Sequence, residues 1–222
     1  MNYYPYFRTG PSSAFKSAST IEVFGEGTVG AAPDQAVIVL GAESEGPELQ
    51  PLQAANAEIM TNIINALLRL NIPRENIQTS DYRIETRYDF EDGRQIFRGY
   101  SVTHLLQIRL DEIGQTGTVV DTAVSEGANR VESIRFTIRQ PEVYVNQALA
   151  LALRNARQKA ATIAAALGVP LPAVPSLVEE LPRAGEPIPF AAVSAFAKSA
   201  PTPIEPGELD VRAAVRVTYR IC

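Results

Sequence analysis

Three glycines and the residues after them do most to limit the folds open to this chain. Residues 21–30 read IEVFGEGTVG, so Gly25, Gly27 and Gly30 fit the G-x-G-x-x-G spacing of a dinucleotide-binding turn, and an apolar β-type run precedes them. That motif holds a pyrophosphate only when a helix follows at once and presents its first N–H groups to the phosphates. Here residues 31–35, AAPDQ, lead instead into AVIVL at 36–40, a short β-branched run that reads as a second strand. The segment therefore predicts strand, glycine turn and strand: a hairpin whose glycines supply positive φ, and not a nucleotide cradle.

Periodicity extends the reading along the chain. Strands are expected at 21–24 and 36–44. From Leu49 to Leu70, Leu52, Ile59, Ile63 and Leu67 recur at helical spacing, and Asn71 and Pro73 end that helix. A long hairpin follows. Tyr82, Ile84, Thr86 and Tyr88 alternate with Arg83, Glu85 and Arg87, Asp92–Gly93 marks the turn, and Val102, His104, Leu106, Ile108 and Leu110 share a face of the return strand. A second helix is read over 113–126 with Gly127 at its end, a strand over 131–139, and an alanine-rich third helix from Pro141 to Leu167, stopped by Gly168. Residues 177–180 are read as a short strand. The final strand is the plainest: Leu209, Val211, Ala213, Val215, Val217, Tyr219 and Ile221 alternate with mostly polar residues. Hairpins and alternating faces point to an α+β fold, an antiparallel-rich sheet or sheets with three helices packed on them. Residues 1–19 read as a flexible N-terminal arm and 20–222 as one α+β domain, within which 183–206 is a mobile Pro/Ala-rich loop or arm.

Composition narrows the function. The 222 residues carry 20 Lys and Arg against 25 Asp and Glu, a net charge of −5, so general attraction to nucleic acid is weak and none is expected as a partner. No apolar run is long enough for a membrane helix, and the N-terminus lacks the apolar core of a secretory signal, so a cytoplasmic location is the expectation from sequence alone. A single cysteine, Cys222, excludes an intrachain disulfide and a cysteine-based zinc site.

The sequence offers no catalytic set, no cofactor motif and no metal site. His104 is the only histidine and lies on an apolar face, where a hydrogen-bonded structural role is expected. Asp89, Glu91 and Asp92 lack the spacing of a calcium loop and read as a solvated turn. No G-x-S-x-G or Walker A sequence occurs. Arg212, Arg216 and Arg220 share the outer face of the last strand, where guanidinium groups suit an anionic ligand; the competing expectation is cross-strand pairing with glutamates.

Taken in order, several blocks resemble the SIMPL-domain family, which includes bacterial periplasmic immunogenic and oxidative-stress-defence proteins. They are IEVFGEGTVGAAPDQAVIVLGAES, LLRLNIPRENIQTSDYRIETRYD, GYSVTHLLQIRL with VVDTAVSEGANRVESIRFTI, ALRNARQKAATIAAALG and PTPIEPGELDVRAAVRVTY. The similarity runs from about Ile21 to Tyr219 and rests on the ordered combination. Asn71 stands where the family usually has glycine, and His104 where it often has a small polar residue or asparagine. The resemblance implies an α+β fold, a tendency to oligomerise, no agreed catalytic residues, and proposed roles in envelope stress or oxidative defence. Many members are exported. A non-enzymatic, self-associating scaffold is the expectation, with a small anionic-ligand-binding protein as the alternative.

Overall fold

The structure is a computed structural model that describes residues 19–182, 188–189 and 202–221. Most of the expected N-terminal arm and most of 183–206 lie outside the described residues. The elements run β1 (Ser19–Ala31), β2 (Gln35–Gly46), α1 (Leu49–Arg69), β3 (Ile77–Glu91), β4 (Arg94–Leu110), α2 (Thr116–Ser125), β5 (Arg130–Thr137), α3 (Pro141–Leu167), β6 (Leu177–Glu180), β7 (Ile188–Pro189) and β8 (Leu209–Ile221). Single turns of 3-10 helix precede β3 and α2. The chain is α+β, with a sheet in the order β1-β8-β6, β7 also pairing with β8, and a second sheet in the order β3-β4-β2-β5. It divides into two compact units. One holds residues 19–27, 148–182 and 213–221; the other holds 28–147, 188–189 and 202–212.

The glycine segment corrects the sequence reading. β1 is one uninterrupted strand of 13 residues, its glycines make no turn, and β2 belongs to the other sheet, so the predicted β1–β2 hairpin does not form. Gly25, Gly27 and Gly30 all lack positive φ. Period-two burial passes straight through them: Ile21, Val23, Gly25 and Gly27 are buried, while Glu22, Phe24 and Glu26 are exposed. Space, and not backbone freedom, is what requires glycine here. A Cβ on Gly25 would collide with the Ala152 carbonyl oxygen and lie 2.7 Å from the Ala156 Cβ. A Cβ on Gly27 would collide with the Ala148 carbonyl and lie 2.7 Å from the Ala152 nitrogen. The α3 side of this contact is a ridge of alanines at four-residue spacing, Ala148, Ala152, Ala156, Ala160 and Ala164, all buried. Two stripes without bulk, one on a strand and one on a helix, let backbone meet backbone. Ile21, Val23, Val215, Val217 and Tyr219 complete this unit's core with Ala152, Ala156, Ala160 and Ala164.

The second unit follows the expected pattern. Ala36, Ile38, Leu40 and Ala42 of β2 and Leu106, Ile108 and Leu110 of β4 form one face, as alternation requires. Met60, Ile63 and Leu67 of α1 and Val119, Val120 and Ala123 of α2 close over it. Burial of each large side chain in this group contributes about 1.5–3 kcal/mol. Asn56, buried in the middle of α1, donates its amide N–H groups to the Ala42 and Val102 carbonyls and to Ser44 Oγ, at 3.0–3.3 Å. The helix is thereby fixed in register over β2 and β4.

All three helices stop in the same way. A residue with positive φ stands just past each helix end: Asn71 (60°), Gly127 (106°) and Gly168 (69°). The next N–H then reaches back five residues, Ile72 to the Leu67 carbonyl, Ala128 to Ala123 and Val169 to Ala164, at 2.9–3.3 Å. These are Schellman ends, and Asn71 adopts the left-handed conformation expected of it. The β3–β4 turn also matches expectation. Asp92 and Gly93 both have positive φ, 49° and 74°, and Glu91 pairs with Arg94, as in a two-residue type I′ hairpin.

Candidate functional site

The three arginines lie on the outer face of β8, between its buried residues. Arg212 donates to Asp210 at 3.1 Å. Arg216 lies opposite Glu179 in the β6–β8 register, pairs with it at 3.3 Å, and has its guanidinium 5.3 Å from the Phe24 ring centre. Arg220 is exposed near the end of the strand. Four residues of extended chain separate Arg216 from Arg220, roughly 13 Å. Cross-strand pairing with a glutamate thus occurs at Arg216, and the pairs at Arg212 and Arg216 place a carboxylate where an anionic ligand would sit.

His104 sits half-buried on β4. Its Nε2 is 3.4 Å from Thr79 Oγ1 on β3, and Tyr82 meets its ring edge-on with centroids 5.1 Å apart. Burial lowers its pKa below the ordinary 6.5. Its neighbours are the structural partners expected of it, and neither is a carboxylate that would activate it as a base.

On the sheet face away from α1 and α2, the ends of β2, β3 and β4 form an open groove of about 580 Å³ lined by Glu43, Glu45, Ile84, Glu85, Thr86, Arg87 and Ser101. Its charges are already matched. Glu43 accepts from Ser101 Oγ at 3.0 Å and from Arg130 Nη1 at 2.8 Å, and those two bonds depress its pKa against a smaller opposing cost of burial. Arg87 pairs with Glu45. Among the described residues no group of three or more His, Cys, Asp or Glu side chains is placed to hold a metal ion.

The β3–β4 hairpin presents a further exposed surface. β2 accompanies β4 only as far as Gly46 opposite Tyr100, so residues 87–99 continue as a two-stranded ribbon. All of residues 82–90 are exposed. Tyr82, Ile84, Tyr88 and Phe90 share one face of β3 and are 45%, 39%, 44% and 77% exposed, with Phe97 of β4 at 46%. Edge-on contacts from Tyr88 to Phe97 and from Phe97 to Tyr100 order this face. On the opposite face Arg98 holds both Asp89 and Glu91, so this acidic cluster is a solvated, ion-paired turn. The alternation is legible in the sequence; its exposure is not. The available signal was length: β3 and β4 run 15 and 17 residues, and β2 only 12.

Comparison with known proteins fixes the family. A family model described as SIMPL, protein of unknown function (DUF541), matches residues 21–219. This chain belongs to the SIMPL family. It is 30% identical over 211 residues to the 26 kDa periplasmic immunogenic protein of Brucella melitensis biotype 1, covering 90% of this chain and 84% of that protein. It is 24% identical over 140 residues to the uncharacterized protein YggE of Escherichia coli K12, covering 63% of this chain and 57% of YggE. The YggE protein of Edwardsiella ictaluri is 24% identical over 148 residues, 66% of this chain and 62% of its own.

The blocks that carried the SIMPL resemblance have structural work in this fold. The Asp34 carboxylate accepts from the Arg139 main-chain N–H at 2.7 Å and ties the start of β2 to the end of β5. In the Gly127–Ala128–Asn129 block, the first two residues end α2. Asn129 then extends the β2–β5 ladder with its side chain, accepting from the Glu43 N–H at 2.8 Å and donating to the Glu43 carbonyl at 2.7 Å. Gly99 of the G-Y block has φ 129° at a bulge, where a Cβ would strike the Gly46 carbonyl. No helix among the described residues is long and apolar enough to cross a membrane.

Proposed function

We propose that this SIMPL protein is a non-enzymatic, self-associating scaffold or interaction protein with a role in envelope or stress physiology. The observation that carries this reading is the β3–β4 ribbon, whose aromatic face stands in solvent. A contiguous exposed apolar patch on a folded chain marks an association surface. An isolated two-stranded ribbon is also marginal in water, and a partner would supply the missing contacts. The wider setting rests on the Brucella relative, whose name places that protein in the periplasm, and export of this chain is proposed on that basis.

The molar mass of the full chain by light scattering at micromolar concentration tests the reading. A multiple of the single-chain mass supports it, and a monomer at every concentration contradicts it. The alternative, an anion held by Arg212, Arg216 and Arg220, has against it the carboxylates already on Arg212 and Arg216. It would show as thermal stabilisation by phosphates or organic acids that Arg216→Ala abolishes.

A further inference from the structure

β3 is an edge strand. Its sheet runs β3-β4-β2-β5, so one side of β3 pairs with β4 and the other has no strand beside it among the described residues. It is 15 residues long, and residues 82–90 are exposed throughout. Soluble proteins usually shorten, cover or interrupt an edge of this length, because its unpaired N–H and C=O groups are a template for another chain.

The order of side chains along this edge is self-complementary. Charged residues Arg83, Glu85, Arg87 and Asp89 occupy one face, and Tyr82, Ile84, Thr86, Tyr88 and Phe90 the other. Laying the strand antiparallel to a second copy of itself about Thr86 sets Arg83 opposite Asp89 and Glu85 opposite Arg87. On the other face, Ile84 meets Tyr88 and Tyr82 meets Phe90. Two-fold symmetry repeats each pairing, as a two-fold dimer interface requires. Shifting the centre to residue 85 sets Arg83 against Arg87. Shifting it to 87 sets Glu85 against Asp89. Shifting it to 84 leaves Tyr82 and Tyr88 opposite Thr86 and Ser80. A centre on 84 or 88 also joins opposite charges, but its one wholly apolar pairing is Ile84 or Tyr88 with itself; the Thr86 centre sets both Ile84 with Tyr88 and Tyr82 with Phe90 beside its opposite charges, at the cost of Asp81 facing Glu91 at each end.

Main-chain directions agree. Glu91 and Arg94 close a two-residue turn, so Glu91, Asp89, Arg87 and Glu85 direct their N–H and C=O groups to β4. The even-numbered residues direct theirs to the free edge. The bulge beside Arg87 places its extra residue, Arg98, in β4, and the other bulge adds Ser80 to β3, so the alternation of β3 is intact from Asp81 to Glu91. A centre on Thr86 pairs even residues with even residues and completes about ten main-chain hydrogen bonds.

We infer that β3 is a homotypic interface: two copies pair their β3 edges antiparallel about Thr86 and fuse two four-stranded sheets into one of eight strands. This rests on the self-association reading and names the surface responsible.

Thr86→Pro in the full chain is the decisive substitution. It removes the N–H at the two-fold axis without touching the β4 ladder, and proline is tolerated at such edge positions. The molar mass in light scattering should fall to half or less. Arg83→Asp should weaken association roughly tenfold or more by setting like charges opposite each other, and adding Asp89→Arg should restore it. In a Cys222→Ser background, Thr86→Cys should oxidise to a disulfide-linked dimer, because paired Cα atoms about 5.5 Å apart fit that bond. Ile84→Cys should not, since its counterpart would lie roughly 13 Å away. Thermal melts separate lost pairing from lost fold; should Thr86→Pro unfold, the Arg83/Asp89 exchange and the cysteine pair decide. Association that survives Thr86→Pro, or cross-linking at Ile84 equal to that at Thr86, overturns this interface and leaves self-association standing. A monomeric wild-type chain overturns both.

Discussion

Gly25 and Gly27 show how one residue type can be required for different reasons. A glycine in a turn is there for its backbone; a glycine in a strand facing a helix is there for what it lacks. Both positions would press a Cβ onto main-chain atoms of α3, which cannot swing aside as a side chain can. Gly25→Ala or Gly27→Ala should therefore cost about 1–3 kcal/mol in denaturant melts, the usual range for overpacking. Gly30→Ala is the control. Its Cβ would come no closer than 3.5 Å to the Glu208 carboxylate, so its cost should stay within about 0.5 kcal/mol. A turn-based account would make all three comparable. His104 allows a second test at this scale. Burial holds its folded pKa below 6.5, so the unfolded chain takes up a proton in a range where the folded chain does not. The associated stability is present above pH 6.5 and is lost as pH falls through the folded value. Urea melts of wild type and His104→Asn at about pH 7.5 and about pH 5.5 should show a smaller loss in the variant, with the fold retained.

Among the elements, legibility follows how local the determining physics is. α1, α3, the Asp92–Gly93 turn and β8 were readable because period, caps and turn residues lie within one short window. The path of β1 was not, because it depends on a contact with α3 more than a hundred residues away. Its clue was present as two separate facts, glycines two apart on a strand and alanines four apart on a helix, and only the fold puts one against the other. The arginines of β8 were legible as candidates, but their carboxylate neighbours depend on the β6–β8 register. The ribbon's exposure likewise depends on where β2 stops. α3 also covers part of the outer edge of β1: Asn155 accepts from the Glu26 N–H at 3.2 Å, and Lys159 donates to the Phe24 carbonyl at 2.8 Å. These side chains satisfy main-chain groups that would otherwise recruit another strand. Asn155→Ala with Lys159→Ala should lower stability by about 1 kcal/mol or more and raise nonspecific aggregation in light scattering. No increase in aggregation would remove their role as edge guards.

For the whole molecule, the contrast between the two long edges matters. β1 has helix side chains placed on its outer main-chain groups, whereas β3 presents exposed, charge-balanced and partly aromatic residues along most of its length. That asymmetry is what a chain built to associate through one chosen surface would show, and it fits the matched ion pairs that fill the groove beside β3. Membership of the SIMPL family places the chain beside a periplasmic immunogenic protein and the uncharacterized YggE, and it is the physical properties of the surface that point to association. Self-association is measured by sedimentation of the full chain across the micromolar range. A self-associating chain has a weight-average mass of at least twice the single chain, falling toward it on dilution. A single-chain mass at every concentration would contradict self-association.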